Sequence, residues 1–263
     1  MTTPKTIINL TIAEIEVEQI DFNNLQALAV IHQGGAWDST VKSPLNAVEK
    51  KLVKAFKKKL KIGLFTRFQG SFCCYCAIEL ANHQGKYDLD HVVAKDGRSQ
   101  VVFALENLAL SCGPCNTNKS NKKSTTSLGQ DQDAVPLGGA HYLLVHPHYD
   151  KWTDFFEVDQ YRRVNPKYSG PDLKARNTIE LCGIDKLNAI RLAQHFDWVT
   201  SSAKRHRDWV SFYQDLYSPS NPQRSKKLAK FATTLLGSQG DPAAASLYAL
   251  FKDRIDKLLA ATP

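Results

Sequence analysis

Two Cys-x-x-Cys pairs restrict the fold of this chain more than any other feature of its sequence. The first pair lies in the segment FCCYC and the second in SCGPC, and together they are Cys73, Cys76, Cys112 and Cys115. Each pair can form a tight turn that directs two sulfurs to one point, and four thiolates meet the requirement of a tetrahedral zinc ion. The sequence therefore predicts a structural zinc site that joins two distant parts of the chain.

The predicted zinc site would itself be unreactive. Four thiolates leave no open coordination position for water, so any chemistry has to lie beside the zinc. The alternatives to zinc are a redox dithiol and cysteines that are buried by chance. Cys74 and Cys182 do not fit the spacing and are interpreted as ordinary buried thiols.

Composition and charge favour a globular protein with a negatively charged partner. The chain has 263 residues, of which 43% are apolar, so it can bury a substantial core. Its formal net charge of +8 favours a polyanionic partner such as DNA. No apolar run is long enough to cross a membrane, and the N-terminus lacks the apolar core of a signal peptide, so we expect a cytoplasmic protein without membrane contact.

The segment between the two cysteine pairs alternates in the manner of a β-strand. Tyr87, Leu89, His91 and Val93 alternate with Asp88, Asp90 and Val92. The sequence KDGRS then predicts a turn, NLALSC predicts a second strand, and CNTNKSNKK predicts the start of a helix. Adjacent residues of an ideal strand face opposite sides, but at a strand end two neighbours can approach the same site.

These motifs, in this order and within residues 72–123, resemble the zinc-stapled HNH endonuclease family. The resemblance rests on the cysteine pairs and on Asp90-His91, Glu106-Asn107-Leu108 and Cys115-Asn116-x-x-Lys119. It implies a ββα-metal fold that hydrolyses phosphodiester bonds with one divalent cation, either Mg²⁺ or Mn²⁺. The overall prediction is an α+β fold in which this small core is flanked by mainly helical regions.

The resemblance also implies a role for each motif residue. His91 corresponds to the general base, Asp90 to a ligand of the catalytic cation, and Asn107 to the asparagine that holds the loop beside the base. Asn116 corresponds to the third motif position, where many members have histidine. An amide oxygen there favours a hard, oxygen-liganded cation. Lys119 corresponds to a phosphate contact.

General chemistry supports the same roles, although each residue also has a simpler interpretation. Phosphodiester hydrolysis needs a deprotonated water and positive charge at the phosphate, which an imidazole and a divalent cation can supply. Alternatively, His91 and Asp90 could be a surface pair, Asn107 a turn residue and Asn116 a helix N-cap. Candidate phosphate contacts are the basic residues near the motifs, which are Arg67, Lys95, Arg98, Lys119, Lys122 and Lys123.

The flanking sequences divide the chain into three predicted parts. Residues 1–65 contain a basic amphipathic helix that starts at Ser43 and Pro44, with Leu45, Val48, Leu52, Phe56 and Leu60 on its apolar face. Its lysines are either a solvated face or contacts to the DNA backbone. Residues 66–125 form the nuclease core. Residues 126–263 are a linker and a mainly helical domain, with helices expected from 185 to about 217, at 226–236 and at 242–259.

A second, more limited resemblance suggests a biological role. Leu143-Leu144-Val145 with Pro147 and Asp150, followed by Thr178-Ile179-Glu180-Leu181, is similar to HNH proteins of bacterial anti-phage defence of the Septu-type or retron-linked kind. It implies a role in defence or restriction and a partner ATPase or another defence subunit. The alternative function is a non-catalytic zinc-knuckle subunit that binds nucleic acid or acts as a scaffold. His141, His146 and His148 could suggest a further metal cluster but are interpreted as packing or surface residues.

Overall fold

The computed structural model describes residues 3–80, 87–126, 134–159, 162–167 and 173–195. These residues form an α+β fold of helices and two small antiparallel strand pairs. The elements in chain order are α1 (Gln19–His32), α2 (Ala47–Gly63), β1 (Tyr87–His91), β2 (Leu108–Cys112), α3 (Gly113–Lys119), α4 (Trp152–Phe155), β3 (Phe156–Val158), β4 (Val164–Pro166), α5 (Leu173–Cys182) and α6 (Ile184–His195).

β1, β2 and α3 form a continuous ββα unit. β1 pairs antiparallel with β2, and the register sets Tyr87 opposite Cys112 and His91 opposite Leu108. All five residues of β2 are buried, as is expected for a strand covered on both faces. α3 begins directly after β2 and carries Pro114 in its first turn. Backbone N–H groups have no helical partner in the first turn, so proline is tolerated there. The two predicted strands and the predicted helix are therefore all present.

α2 begins later than the sequence analysis predicts. Its N-cap is Asn46, whose side chain accepts from two backbone N–H groups while Glu49 bonds back to the Asn46 N–H. This reciprocal capping box satisfies two donors at once, which a start at Ser43 cannot do. The buried face of the helix consists of Val53, Phe56 and Leu60, whereas the predicted core residue Val48 is 77% exposed.

One buried amide side chain connects the region after α2 to the sheet. Gln69 is fully buried, and its Nε2 donates to the Leu110 carbonyl at 2.8 Å while its Oε1 accepts from the Leu110 N–H at 2.8 Å. The side chain thus pairs with β2 as a neighbouring strand would. The N-terminal helices are consequently attached to the ββα unit through the segment that leads into the first cysteine pair.

The chain divides into two compact units. The first comprises residues 1–159 and 164–185, and the second comprises residues 160–163 and 186–263. The predicted boundaries near residues 65 and 126 both fall inside the first unit, because α1, α2 and the ββα unit pack together. The helices expected at 226–236 and 242–259 lie outside the described residues. In the described part of the chain, no helix has the length and apolarity needed to cross a membrane.

Candidate metal and catalytic site

The four predicted cysteines converge on one point. All four are buried, and their sulfur atoms lie within 4.8 Å of one another, with 3.7 Å between Sγ of Cys76 and Sγ of Cys112. A tetrahedron with Zn–S bonds of about 2.3 Å has edges of about 3.8 Å, so the cluster fits a structural zinc ion. Among the described residues, no other group of three or more His, Cys, Asp or Glu side chains converges in this way.

Backbone hydrogen bonds shape the turn of the first cysteine pair. The Cys73 N–H donates to the Ile78 carbonyl at 2.9 Å, and the Ala77 N–H donates to the Cys73 carbonyl at 3.0 Å. The Cys112 N–H, from the second pair, donates to Sγ of Cys73 at 3.3 Å. The Cys112 N–H therefore favours a thiolate at Cys73 and links the two pairs directly.

Tyr75 connects the cysteine cluster to β1. It lies between Cys73 and Cys76, is fully buried, and donates its hydroxyl proton to Oδ2 of Asp90 at 2.6 Å. Its carbonyl accepts from Nε1 of Trp152 at 3.0 Å, which fixes the residue from the other side. The position of the first cysteine turn therefore determines where one oxygen of the Asp90 carboxylate lies.

The second oxygen of Asp90 forms a buried ion pair. Nζ of Lys119 lies 3.2 Å from Oδ1 of Asp90 and donates to the His91 carbonyl at 2.8 Å. Asp90 is 4% exposed and Lys119 is 2% exposed. Burial raises the pKa of Asp90, and the Lys119 ammonium opposes that rise. Lys119, predicted as a phosphate contact, is instead enclosed, because Asp90 and the backbone take its hydrogen bonds.

His91 is held through one ring nitrogen. Its Nε2 lies 2.9 Å from the carbonyl oxygen of Val102, and the residue is 8% exposed. A carbonyl only accepts, so Nε2 carries the proton and Nδ1 keeps its lone pair. Burial lowers the pKa of His91 to about 3, against the Val102 hydrogen bond, and the ammonium groups of Lys95, Lys119 and Lys57 lower it further. The imidazole is therefore neutral at pH 7.

Asn107 organises the loop that contains Val102. It is fully buried, and its Oδ1 accepts from the Val93 N–H at 2.7 Å. Its Nδ2 donates to the carbonyls of Val93 and Val101, both at 3.0 Å. One amide thus joins both ends of the segment between β1 and β2. These bonds hold the loop in place next to His91, since Val101 directly precedes the residue that binds the imidazole.

Asn116 is joined to a carboxylate that the sequence analysis missed. Its Nδ2 donates to Oδ2 of Asp88 at 3.0 Å. Asp88 and Asp90 are two apart on β1 and therefore lie on the same face of the strand, while Asn116 and Lys119 are three apart on α3. Two polar pairs consequently connect β1 to α3. The alternation of acids in YDLDH was the signal that could have identified Asp88.

The remaining candidate phosphate contacts differ in their surroundings. Lys95 forms an ion pair with Asp96 at 3.7 Å and is half-buried, and Arg98 is also half-buried. Lys122 and Lys123 are exposed after α3, with Nζ of Lys122 at 3.3 Å from the Leu181 carbonyl. Arg67, which follows α2, forms an ion pair at 3.6 Å with Glu14, which precedes α1. Of these five candidates, Arg67, Lys122 and Lys123 are exposed.

The three histidines after the core are engaged in packing and hydrogen bonds. His146 is fully buried, with its ring 4.0 Å from that of Tyr142 and 4.6 Å from that of Tyr149. Nε2 of His148 bonds to the Leu108 carbonyl at 3.0 Å. Together with His141, they do not form a metal-binding group among the described residues. The prediction of a packing role agrees with these contacts.

Comparison with known proteins does not assign a function to this chain, so any proposal rests on its own residues. No family model, no curated protein and no solved structure matches the chain. What the arrangement offers chemically is a four-sulfur cluster fit for a metal ion and, at the end of β1, a neutral imidazole with one free lone pair. Oxygen donors of Asp88, Asp90 and Asn116 lie on the facing surfaces of β1 and α3.

Proposed function

We propose that this chain is a metal-dependent HNH endonuclease that hydrolyses DNA phosphodiester bonds. The observation that carries the proposal is the tautomer of His91, because its hydrogen bond to the Val102 carbonyl leaves Nδ1 free to accept a proton. The HNH resemblance implies two strands followed by a helix, with four cysteines around them. β1, β2 and α3 follow each other in this order, and the four cysteines converge beside them.

His91 acts as the general base in this proposal. Nδ1 takes a proton from the attacking water, and the Val102 carbonyl stabilises the imidazolium that forms at Nε2. The pKa of about 3 reflects burial and neighbouring ammonium groups. A phosphate anion bound beside the ring would favour the protonated form and raise that pKa. The same ammonium groups of Lys95 and Lys57 favour binding of the phosphate.

Asp90 and Asn116 are the proposed ligands of a catalytic Mg²⁺ or Mn²⁺. Each carboxylate oxygen has two acceptor sites, so Asp90 can bind a cation while keeping its bonds to Tyr75 and Lys119. Donation from Nδ2 of Asn116 to Asp88 leaves the amide oxygen as the ligand atom. One carboxylate with an amide suits Mg²⁺, which keeps several waters and binds substrate phosphate. A cation held there would supply positive charge at the phosphate.

Cleavage of plasmid DNA with and without His91 tests the proposal. The wild-type protein is expected to cut in Mg²⁺ or Mn²⁺ and to stop in EDTA, and His91→Ala should lose about 10²- to 10⁴-fold in rate. His148→Ala is the matched control, since His148 also bonds to a backbone carbonyl. Zinc content and circular dichroism establish that each variant is folded. Unchanged cutting by folded His91→Ala would refute His91 as the base.

The same assay distinguishes the alternative function. A chain that binds DNA with equal affinity with and without Mg²⁺ and never cuts it is a zinc-knuckle binding or scaffold subunit. The link to a partner ATPase and to anti-phage defence or restriction remains a prediction from the second resemblance.

Tyr75→Phe tests whether the cysteine turn sets the geometry of the proposed cation site. It removes only the hydroxyl that binds Asp90, so zinc content should be unchanged while Mn²⁺ affinity falls about 10- to 100-fold, as is typical when a group that orients a metal ligand is lost. Mn²⁺ titration followed by electron paramagnetic resonance measures the affinity. Tyr142→Phe is the control, because it removes a buried hydroxyl that bonds to the Pro136 carbonyl. Equal Mn²⁺ affinity in both variants would contradict the link.

A further inference from the structure

In the described part of the chain, the aromatic ring that pairs with the imidazole comes from outside the HNH-like segment. Trp37 lies in the 3-10 turn Gln33–Trp37, between α1 and α2. The centroids of its ring and of the His91 ring are 4.4 Å apart, with an interplanar angle of 76°. An edge-to-face pair at this distance is a favourable and directional contact. The contact links the region before the first cysteine to the side chain proposed as the base.

Trp37 is itself fixed from several directions. Its ring packs against Phe56 of α2 at 6.4 Å and against Phe103 at 5.6 Å. Nζ of Lys57 lies 4.4 Å from the centre of the ring and also donates to the Trp37 carbonyl. Both the ring and the backbone of Trp37 are therefore attached to α2. The cation over the ring adds an electrostatic attraction to the packing.

The same aromatic cluster fixes the carbonyl that binds His91. Phe103 follows Val102 directly, is 2% exposed, and packs edge-on against Phe56 at 5.6 Å and 85°. Both restraints on the imidazole, the Val102 carbonyl and the Trp37 ring, are thus attached to α2. A single hydrogen bond leaves an imidazole free to tilt, because the second torsion of histidine has a broad energy minimum. A ring packed against it limits that motion.

We infer that Trp37 is a positioning residue for His91, so that the N-terminal region completes the active site rather than only contacting DNA. The catalytic part of this inference rests on the proposed function of His91 as the base. The contact between the two rings restrains the imidazole even if the chain is not a nuclease. Loss of the Trp37 ring should let the His91 ring tilt and weaken its bond to Val102. Misplacement of a reacting group by about 1 Å can cost about 10²-fold in rate.

Imidazole NMR provides a test that does not depend on cleavage. Long-range ¹H–¹⁵N spectra at neutral pH should show His91 as a pure Nε2–H tautomer in the wild type and in Trp37→Phe, which retains an aromatic ring. In Trp37→Leu the signal should become a mixture of tautomers. Phe22→Leu is the control, because Phe22 belongs to the same cluster but packs on Phe56, at 6.3 Å, and not on the imidazole.

Cleavage kinetics then connect the restraint to the reaction. Trp37→Leu should lower kcat about 10- to 100-fold with KM for DNA within about twofold, and Trp37→Phe should recover most of the loss. If Trp37→Leu does not fold, Lys57→Met should produce a smaller change in the tautomer mixture, because it loosens Trp37 without opening the core. Only the tautomer of Lys57→Met bears on the inference, since Lys57 also favours phosphate binding. A pure Nε2–H tautomer in Trp37→Leu, or in Lys57→Met where that variant replaces it, overturns the inference. A mixed tautomer in a protein that never cuts DNA refutes the nuclease proposal and leaves the positioning role intact.

Discussion

Cys115→Ser is expected to release the structural metal and to unfold the ββα unit. Cys115 is fully buried in the four-sulfur cluster, and it joins α3 to the turn that contains Tyr75. Structural zinc contributes about 10–16 kcal/mol to the folding of small zinc-binding domains, whereas a whole domain is stable by only about 5–15 kcal/mol. A site with three thiolates loses much of that contribution, and the seven-residue helix α3 loses its attachment to the first cysteine turn.

Metal analysis and thermal unfolding measure this effect. Wild-type protein should contain one zinc per chain and lose its cooperative transition in a strong chelator, and Cys115→Ser should contain less than one zinc and melt at a much lower temperature. Cys74→Ser is the matched control, since Cys74 is buried next to the cluster without belonging to it. A Cys115→Ser protein with unchanged zinc and unchanged melting temperature would exclude a structural role for the cluster.

The cysteine cluster and the ββα unit could be predicted because their signals are local. Two thiols separated by two residues can reach one ion only from a tight turn, so the spacing specifies both the turn and the ligands. The alternation of Tyr87, Leu89 and His91 similarly reflects a strand with one face against the core. In each case the residues that determine the element lie within a few positions of one another.

The start of α2 was predicted less well because the sequence contains two competing signals. Ser43-Pro44 and Asn46 with Glu49 are both acceptable beginnings of a helix. The second satisfies two backbone donors reciprocally, and the packed face of the helix carries Val53 while Val48 faces solvent. Overlapping apolar series occur along any helix rich in lysine and leucine, and tertiary packing selects one of them.

Contacts between distant segments were not predictable from the sequence. Trp37 meets His91 only because α1, α2 and the loop containing Phe103 share an aromatic core. Lys119 was predicted as a phosphate contact from its place in the motif, but the pattern does not reveal that Asp90 neutralises it. Polar residues near an expected active site are easily assigned to the substrate when their partners are other side chains of the same site.

Lys119→Met is expected to destabilise the protein by about 3–5 kcal/mol, because it leaves the buried Asp90 carboxylate without its counter-charge. At 4% and 2% exposure, neither partner can be rehydrated without opening the interface of β1 with α3. Lys123→Met, at the exposed end of the same segment, should change the free energy of unfolding by less than about 0.5 kcal/mol. Urea unfolding of the zinc-loaded proteins measures both.

A double-mutant cycle identifies the cause of the Lys119 effect. Asp90→Asn removes the charge that Lys119 neutralises, so Asp90→Asn with Lys119→Met should be more stable than the sum of the two single changes predicts. Additive effects would show that the methylene chain of Lys119 matters for packing and that its charge does not.

The cycle also bears on catalysis, because Lys119 binds the His91 carbonyl. An ammonium that neutralises Asp90 weakens its attraction for a divalent cation, so folded Lys119→Met should bind Mn²⁺ more tightly than the wild type if Asp90 is a ligand.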